Sequence, residues 1–271
     1  TKLIYTSDNF ERGYIYYHLS EVNSLLGNND EFTRCIDKSL SYLNESDIPF
    51  YSAALMYKAI NLVQNGKIEE ANKTVTVAFD KLGNDQTLNR AFLLVNLSKI
   101  CVDISEYEKG ANACKEAFDI FKKEKHTEGI FNSLINLVSC LGQMDGYKDE
   151  AEKYAFILLE KVVDTDNFAY EIVILNALAS LKREKKEYEK AKEYSNRAIK
   201  LCQHYGMKAK AVMNLINYGN ILRDEDKIDD AITIYNDALI YTKEYKLHKD
   251  ESRIYWILSV SYTHLTLPTK A

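Results

Sequence analysis

Short stretches of one pattern recur along the chain: an apolar residue, two polar or charged residues, and then a small residue. Three of them read IEEA at 68–71, YEKA at 188–191 and IDDA at 228–231. FTRC at 32–35 and YEKG at 107–110 follow the same rule, and YKDEA at 147–151 follows it with one residue inserted. An apolar position beside a solvated pair is typical of an amphipathic helix. The pattern therefore predicts a helix that is repeated along the chain.

A leucine about 16 residues before each small residue begins a second apolar stripe. These register leucines recur about every 40 residues and are Leu19, Leu55, Leu94, Leu134, Leu175 and Leu215. The residue four positions later is mostly small, as in Ala59 and Gly219, and the residue seven positions later is mostly apolar, with Lys182 as the exception. This spacing is one face of a helix.

Each repeat is thus predicted to contain two antiparallel helices, A with the register leucine and B beginning at the charged pair. Helix B has its own stripe, with alanine at Ala78, Ala117, Ala198 and Ala238. Small residues let two helices cross closely, and polar segments such as QNGK at 64–67 supply the turns. Ser105 and Glu108 are expected to form a capping box. One helix pair leaves an apolar face open, so the pairs are expected to stack.

This pattern resembles the tetratricopeptide repeat (TPR), with its large–small spacing in helix A and its Tyr/Ile-x-x-Ala spacing in helix B. The resemblance covers about Phe10 to Leu258 as six repeats and the start of a seventh, ESRIYWILS at 251–259. It implies an all-α fold: a right-handed α-solenoid of stacked antiparallel helix pairs over residues 1–259, open at both ends. The period exceeds the roughly 34 residues of the standard repeat. With this longer period the chain resembles the cytosolic peptide-pheromone receptors of Gram-positive bacteria, the Rap/NprR/PlcR group.

Composition narrows the classes of function. The formal net charge of −5 argues against binding of nucleic acid by this segment, and no apolar run approaches the roughly 20 residues that span a bilayer. The five cysteines lack CxxC spacing, which favours a reducing, cytoplasmic setting over a disulfide framework. The chain begins with Thr1 and is expected to be a fragment.

No catalytic signature is present in the sequence. It contains no glycine-rich phosphate loop, HExxH, GxSxG or metal-spaced Cys/His cluster, and its histidines are isolated from one another. Mixed-charge runs such as KREKKEYEK at 182–190 are typical of a solvated helix face. We therefore expect no enzyme activity, no cofactor and no metal.

Asparagines mark the position two residues after the register leucine. Asn96, Asn136 and Asn217 stand there, in the contexts LVNLS, LINLV and LINYG, and four further residues are expected near the same surface: Lys99, Asn132, Asn176 and Asn220. The TPR resemblance implies that this part of helix A faces a concave groove where asparagines bind a peptide main chain, since an amide both donates and accepts. The alternative is that these amides bond to neighbouring helices or water.

The leading hypothesis is a cytosolic domain that binds a short peptide or an extended protein segment, the sensor part of a bacterial peptide-responsive (quorum-sensing) transcription regulator. A DNA-binding or effector domain is then expected upstream. Two alternatives stay open: a structural scaffold without a small ligand, and a fragment of a Rap-type response-regulator phosphatase. No membrane contact is expected, and the uncapped ends allow a homodimer.

The last residues depart from the repeat. At 260–269 the sequence VSYTHLTLPT alternates Thr with Leu and contains Pro268, a poor composition for a helix. These residues also resemble a translated sequencing adapter. Residues 260–271 are therefore expected to be an unstructured, non-native tail.

Overall fold

The computed structural model describes residues 8–26, 28–83, 87–163, 167–244 and 247–266. Within these ranges the chain forms thirteen α-helices and no strand, which confirms the all-α, TPR-like fold. The helices are α1 Asn9–Leu26, α2 Asn29–Tyr42, α3 Ile48–Gln64, α4 Ile68–Leu82, α5 Leu88–Asp103, α6 Tyr107–Lys123, α7 Thr127–Gly142, α8 Lys148–Val163, α9 Phe168–Glu184, α10 Tyr188–His204, α11 Lys208–Asp224, α12 Ile228–Glu244 and α13 His248–Thr266.

The register predicted from the sequence coincides with these helices. Each register leucine lies in an odd-numbered helix from α1 to α11, and each apolar–polar–polar–small stretch lies at or near the start of an even-numbered helix. The odd-numbered helices are therefore the A helices and the even-numbered ones the B helices. Contacts divide the chain into two units, residues 1–147 and residues 148–271.

In the first unit, α1 packs on α2, α3 on α4, and α5 on α6. The A helices also contact one another, α3 with α5 and α5 with α7, so they form one layer. Gly110 shows why small residues are needed where helices cross: a Cβ at this position would lie 2.8 Å from Cys140 Sγ and 3.1 Å from Cys101 Cβ. All five cysteines of the chain are buried thiols, so they contribute to packing as small apolar side chains.

In the second unit, α9 packs on α10, α11 on α12, and α12 on α13. Tyr235 is fully buried and is among the largest side chains in the core. Gly219 makes room for its ring, because a Cβ at Gly219 would lie 2.4 Å from Tyr235 Cε1. The small residue four positions after the register leucine thus serves close packing, as predicted.

Lys182, the exception to the apolar stripe, is buried all the same. Its side chain is 7% exposed, and Nζ lies 2.5 Å from Glu152 Oε1 and 3.1 Å from Glu187 Oε1. Lys185 also bonds to Glu152 and to Asp149. A charged side chain is tolerated at this core position because carboxylates from α8 and from the turn before α10 neutralise it.

Four of the turns from A helices to B helices share one backbone geometry. Gly66, Ser105, Lys186 and Asp226 have positive φ, between 60° and 76°. The residue after each donates its N–H to a carbonyl five residues back, as Glu106 does to Cys101 at 2.8 Å. This arrangement closes a helix with a left-handed residue. It corrects the expected capping box, because Ser105 occupies that left-handed position and Glu106 is the N-cap of α6.

The expectation of an unstructured segment from residue 260 is wrong as far as Thr266. Helix α13 continues through that residue, and residues 267–271 lie outside the described part. Ser261 is buried on the same face as Ile254, Ile257 and Leu258, and its hydroxyl donates to Ile257 O at 3.0 Å. Packing of this face outweighs the low helix propensity of Ser and Thr, because each of these residues costs a helix only about 0.5 kcal/mol relative to Ala. No described helix has the length and apolarity to cross a membrane.

Candidate ligand-binding cavity

A cavity of about 420 Å³ lies in the first unit, on the side formed by the A helices. Its walls come from α1, α3, α5 and α7, with a contribution from Leu82 of α4. The lining follows the repeat register. The residue two before the register leucine lines it in all four helices, and the residue two after lines it in three: Tyr17, Ala53, Phe92 and Asn132, then Glu21, Tyr57 and Asn96. One stripe of each of these four A helices therefore faces the cavity.

A carboxylate organises the wall made by α1 and α3. The Tyr57 hydroxyl donates to Glu21 Oε1 at 3.0 Å, and Glu21 Oε2 lies 2.7 Å from His18 Nδ1. Burial raises the pKa of Tyr57, and the negative charge of Glu21 adds to this effect. The pKa of Tyr17 is also raised, first by burial and then by Tyr57 and Glu21. Both phenols therefore remain protonated hydrogen-bond donors at neutral pH.

Lys99 is the cation of the cavity. Its Nζ lies 3.4 Å from Asn96 Oδ1, one turn earlier on α5. The side chain is reached by solvent from the open mouth of the cavity, yet the protein around the ammonium desolvates it and lowers its pKa, an effect that the charge of Glu21 opposes. The ammonium thus lies beside the Asn96 amide, and the amide of Asn132 lines the same cavity.

Aromatic rings form much of the remaining wall. The Phe50 ring packs against Tyr14 with 5.0 Å between centroids and against Tyr17 with 6.1 Å. Tyr17 packs in turn against Tyr57 at 5.5 Å. Phe92 of α5 is 42% exposed and also lines the cavity. Rings with solvent-exposed area bind apolar side chains well at low cost in conformational entropy.

Three of the residues expected in a groove lie together in this cavity: Asn96, Lys99 and Asn132. Asn136 occupies the same register position as Asn96 but turns toward α5. Its Nδ2 donates to Val95 O at 3.3 Å and to Ser98 Oγ at 3.1 Å. This amide therefore joins α7 to α5.

The other three asparagines lie in the second unit. Asn217 Nδ2 donates to Asn176 Oδ1, which joins α11 to α9. Asn220 is 9% exposed, and its Oδ1 accepts from the Tyr235 hydroxyl at 2.8 Å, which joins α11 to α12. These amides bond to neighbouring helices, which is the alternative that the sequence left open.

Sequence reasoning missed the contribution of α1 and α3, including Tyr17, Glu21, Phe50 and Tyr57. The signal was available, because Glu21 and Tyr57 stand two residues after Leu19 and Leu55, the same position as Asn96. The prediction considered only asparagines at this position, so it did not include these two residues. Among the described residues, no group of three or more His, Cys, Asp or Glu side chains is arranged to bind a metal.

Comparison with known proteins gives matches at the level of repeat and fold. The profile of the family described as tetratricopeptide repeat matches residues 172–205. A search of curated protein sequences gave no match. A signal-transduction ATPase with numerous domains and a tetratricopeptide repeat sensor, from Pyrococcus horikoshii, has a TM-score of 0.67 at 19% identity, over 93% of this chain and 38% of that one. This chain therefore spans well under half of that protein.

Two further solved structures have the same fold. A Rap protein complexed with Competence and Sporulation Factor has a TM-score of 0.75 at 14% identity, over 90% of this chain and 68% of the other. The apo form of the quorum sensor NprR from B. thuringiensis has a TM-score of 0.62 at 12% identity, over 94% of this chain and 72% of the other. The chain thus has the fold of tetratricopeptide-repeat proteins, and the resemblance to the Rap and NprR group that its sequence suggests is confirmed for the fold.

Proposed function

We propose that the first unit binds a short peptide, or an extended segment of a protein, in the cavity lined by its A helices. The observation that carries this proposal is the cavity itself, whose lining combines amides and an ammonium with aromatic rings. Amides bond to the N–H and C=O groups of an extended main chain, and the rings contact its side chains. The fold shared with a Rap protein complexed with Competence and Sporulation Factor and with the quorum sensor NprR supports the proposal.

The role that follows is sensing rather than catalysis. Three titratable groups of the cavity are joined to one another, because Glu21 bonds to both Tyr57 and His18. A peptide that binds one arrangement of the A helices better than another shifts the protein toward that arrangement. We propose that this unit is the sensor part of a cytosolic, peptide-responsive bacterial regulator.

In this proposal Asn96 and Asn132 bind the ligand, whereas Asn136, Asn176, Asn217 and Asn220 hold helices together. Calorimetric titration with pools of pentapeptides tests these roles. The peptides are acetylated and amidated at their ends, and each pool has one fixed position and four degenerate ones. Asn96→Ala and Asn132→Ala are each expected to weaken binding about 2- to 10-fold, the range for one hydrogen bond.

Asn217→Ala is the matched control, because it removes an amide at the same register position in the second unit. It is expected to leave the affinity unchanged. The proposal fails if no pool binds the wild-type chain, or if Asn217→Ala weakens binding as much as Asn96→Ala does.

A scaffold for larger proteins is the second candidate. It is favoured by two large apolar side chains of the second unit, Trp256 at 67% exposure and Ile240 at 64%. Exposed apolar side chains of this size are common at sites of protein contact. A partner captured through them would be lost on Trp256→Ala, and peptide pools would not displace it.

A further inference from the structure

Within the part of the chain that the structure describes, the cavity lining contains one ammonium, Lys99, and two carboxylates, Glu21 and Glu128, and the ammonium lacks an ion-pair partner. An ammonium has three donor hydrogens, and the contact that the structure gives Lys99 is the Asn96 carbonyl oxygen at 3.4 Å. Among the described residues no carboxylate forms an ion pair with it. A partly desolvated cation without a counterion is unfavourable, because the protein supplies less solvation than water does.

The acidic side chains of the cavity do not form an ion pair with Lys99, although the charge of Glu21 acts to raise its pKa. Both oxygens of Glu21 are already engaged, one by the Tyr57 hydroxyl at 3.0 Å and the other at His18 Nδ1 at 2.7 Å. Glu128 also lines the cavity, but it is exposed, so water screens its charge. Lys99 therefore has donor hydrogens that no carboxylate among the described residues uses.

The apolar part of the cavity is aromatic on two sides. Phe50 and Tyr17 form one side, and Phe92 on α5 stands two turns from Lys99 on the same helix. A seven-residue separation on a helix places two side chains on one face, about 10 Å apart along the axis. An extended peptide covers that distance with about three residues.

We propose that the bound peptide is acidic: a carboxylate of the ligand pairs with Lys99, and a large apolar side chain about three residues away packs against Phe92 and Phe50. This inference rests on the proposed function and names the ligand class of the same cavity. A carboxylate supplies the missing counterion and makes a charge-assisted hydrogen bond with the ammonium. A basic peptide leaves Lys99 uncompensated and places a second cation beside it.

Matched pentapeptide pools test this. One pair of pools has Asp or Asn fixed at the second position, with Phe fixed at the fifth and the other three positions degenerate. Asp and Asn have nearly the same shape, so their ratio of affinities isolates the charge. We expect the Asp pool to bind the wild-type chain about 10-fold more tightly than the Asn pool.

Variants of the chain test whether Lys99 causes the preference for Asp. In Lys99→Met the ratio of Asp to Asn affinity is expected to fall to about one, and in Lys99→Arg a preference for Asp is expected to return. Lys73→Met is the matched control, because Lys73 is an exposed lysine of α4 that does not line the cavity, and it should leave the ratio unchanged. Circular dichroism confirms that each variant keeps its helices.

The possible failures are distinguishable. Pools that bind the wild-type chain equally well with Asp and with Asn overturn the acidic-ligand inference and leave peptide binding intact. An Asp preference that survives in Lys99→Met overturns the assignment to Lys99. If no pool binds at all, the proposed function itself fails.

Discussion

The Tyr57 hydroxyl donates a 3.0 Å hydrogen bond to Glu21 and thereby joins α3 to α1 at the wall of the cavity. The bond needs Tyr57 to keep its proton, and burial together with the charge of Glu21 raises the pKa of that phenol. Tyr17, whose ring packs on Tyr57, has its pKa raised by the same causes. The wall of the cavity is therefore sensitive to alkaline pH.

The first prediction concerns stability at high pH. In the unfolded chain both phenols lose their protons near pH 10, whereas the folded chain retains them, so the free energy of unfolding falls as pH rises above 10. Each tyrosine contributes a slope of about 1.4 kcal/mol per pH unit. Urea denaturation between pH 9 and about 11.5 should show this slope reduced in Tyr17→Phe/Tyr57→Phe. The exposed Tyr147→Phe is the control and should keep the wild-type slope.

The second prediction concerns the buried ammonium of the second unit. Lys182→Ala removes the partner that lies 2.5 Å from Glu152 and leaves a largely buried carboxylate less well compensated. We expect a loss of about 3 kcal/mol in the free energy of unfolding. Lys182→Met/Glu152→Met should recover most of that loss, because an apolar pair of similar volume fits the same space. Equal instability of the single and the double variant would contradict the ionic explanation.

The third prediction follows from the same cluster in acid. Burial acts to raise the pKa of Glu152, but the hydrogen bonds from Lys182 and Lys185 outweigh it and lower the pKa below the usual 4.5. The stabilisation is therefore present above pH 4.5 and is lost as pH falls through the lower, folded-state value. Lys182→Met/Glu152→Met should lose less stability than the wild-type chain between pH 5 and 3, as measured by thermal denaturation.

The fourth prediction uses the contact between Gly219 and Tyr235. Glycine to alanine inside a helix ordinarily stabilises by about 1 kcal/mol. At Gly219 the new Cβ would lie 2.4 Å from the Tyr235 ring, so Gly219→Ala should destabilise by about 1 to 3 kcal/mol. Combining it with Tyr235→Leu should cost less than the sum of the two single changes, because the ring that clashes is gone. A stabilising Gly219→Ala would show that α11 and α12 do not cross this closely.

The fifth prediction concerns the left-handed turns. Lys186 is exposed and has a φ of 60°, which is unfavourable for a residue with a Cβ. Lys186→Gly is expected to raise the free energy of unfolding by roughly 1 kcal/mol. Lys200→Gly, at an exposed position inside α10, should lower it by a similar amount. Chemical denaturation of the two variants should give changes in the free energy of unfolding of opposite sign. Changes of the same sign would contradict the left-handed turn at Lys186.

The fold was predictable from the sequence because its repeat is redundant. Ala71, Ala191 and Ala231 mark the same helix crossing in three repeats, so no single substitution hides the register. Lys182 interrupts the apolar stripe without interrupting the helix, since its carboxylate partners come from other elements and cannot be seen in the local pattern. The helical course of residues 260–266 was missed for a related reason: the burial of Ser261 depends on tertiary packing.

The cavity was predictable only in part. Asn96 and Asn136 stand at one register position, yet Asn96 lines the cavity while Asn136 donates to α5. A single helix cannot reveal this difference, because it depends on which acceptors the neighbouring helix leaves open. Glu21 and Tyr57 were not predicted because their side chains differ in chemistry from asparagine, although they stand at the same register position as Asn96.

The stripe that lines the cavity has a consequence for substitutions in the A helices. In α3 and α5 the register leucine and the residue four positions later are buried, as Leu94 and Ser98 are, whereas the residues two before and two after the leucine line the cavity. Residues that pack and residues that line the cavity therefore alternate along these two helices. Substitutions at the lining positions therefore change the surface of the cavity while the packing side chains of α3 and α5 stay in place.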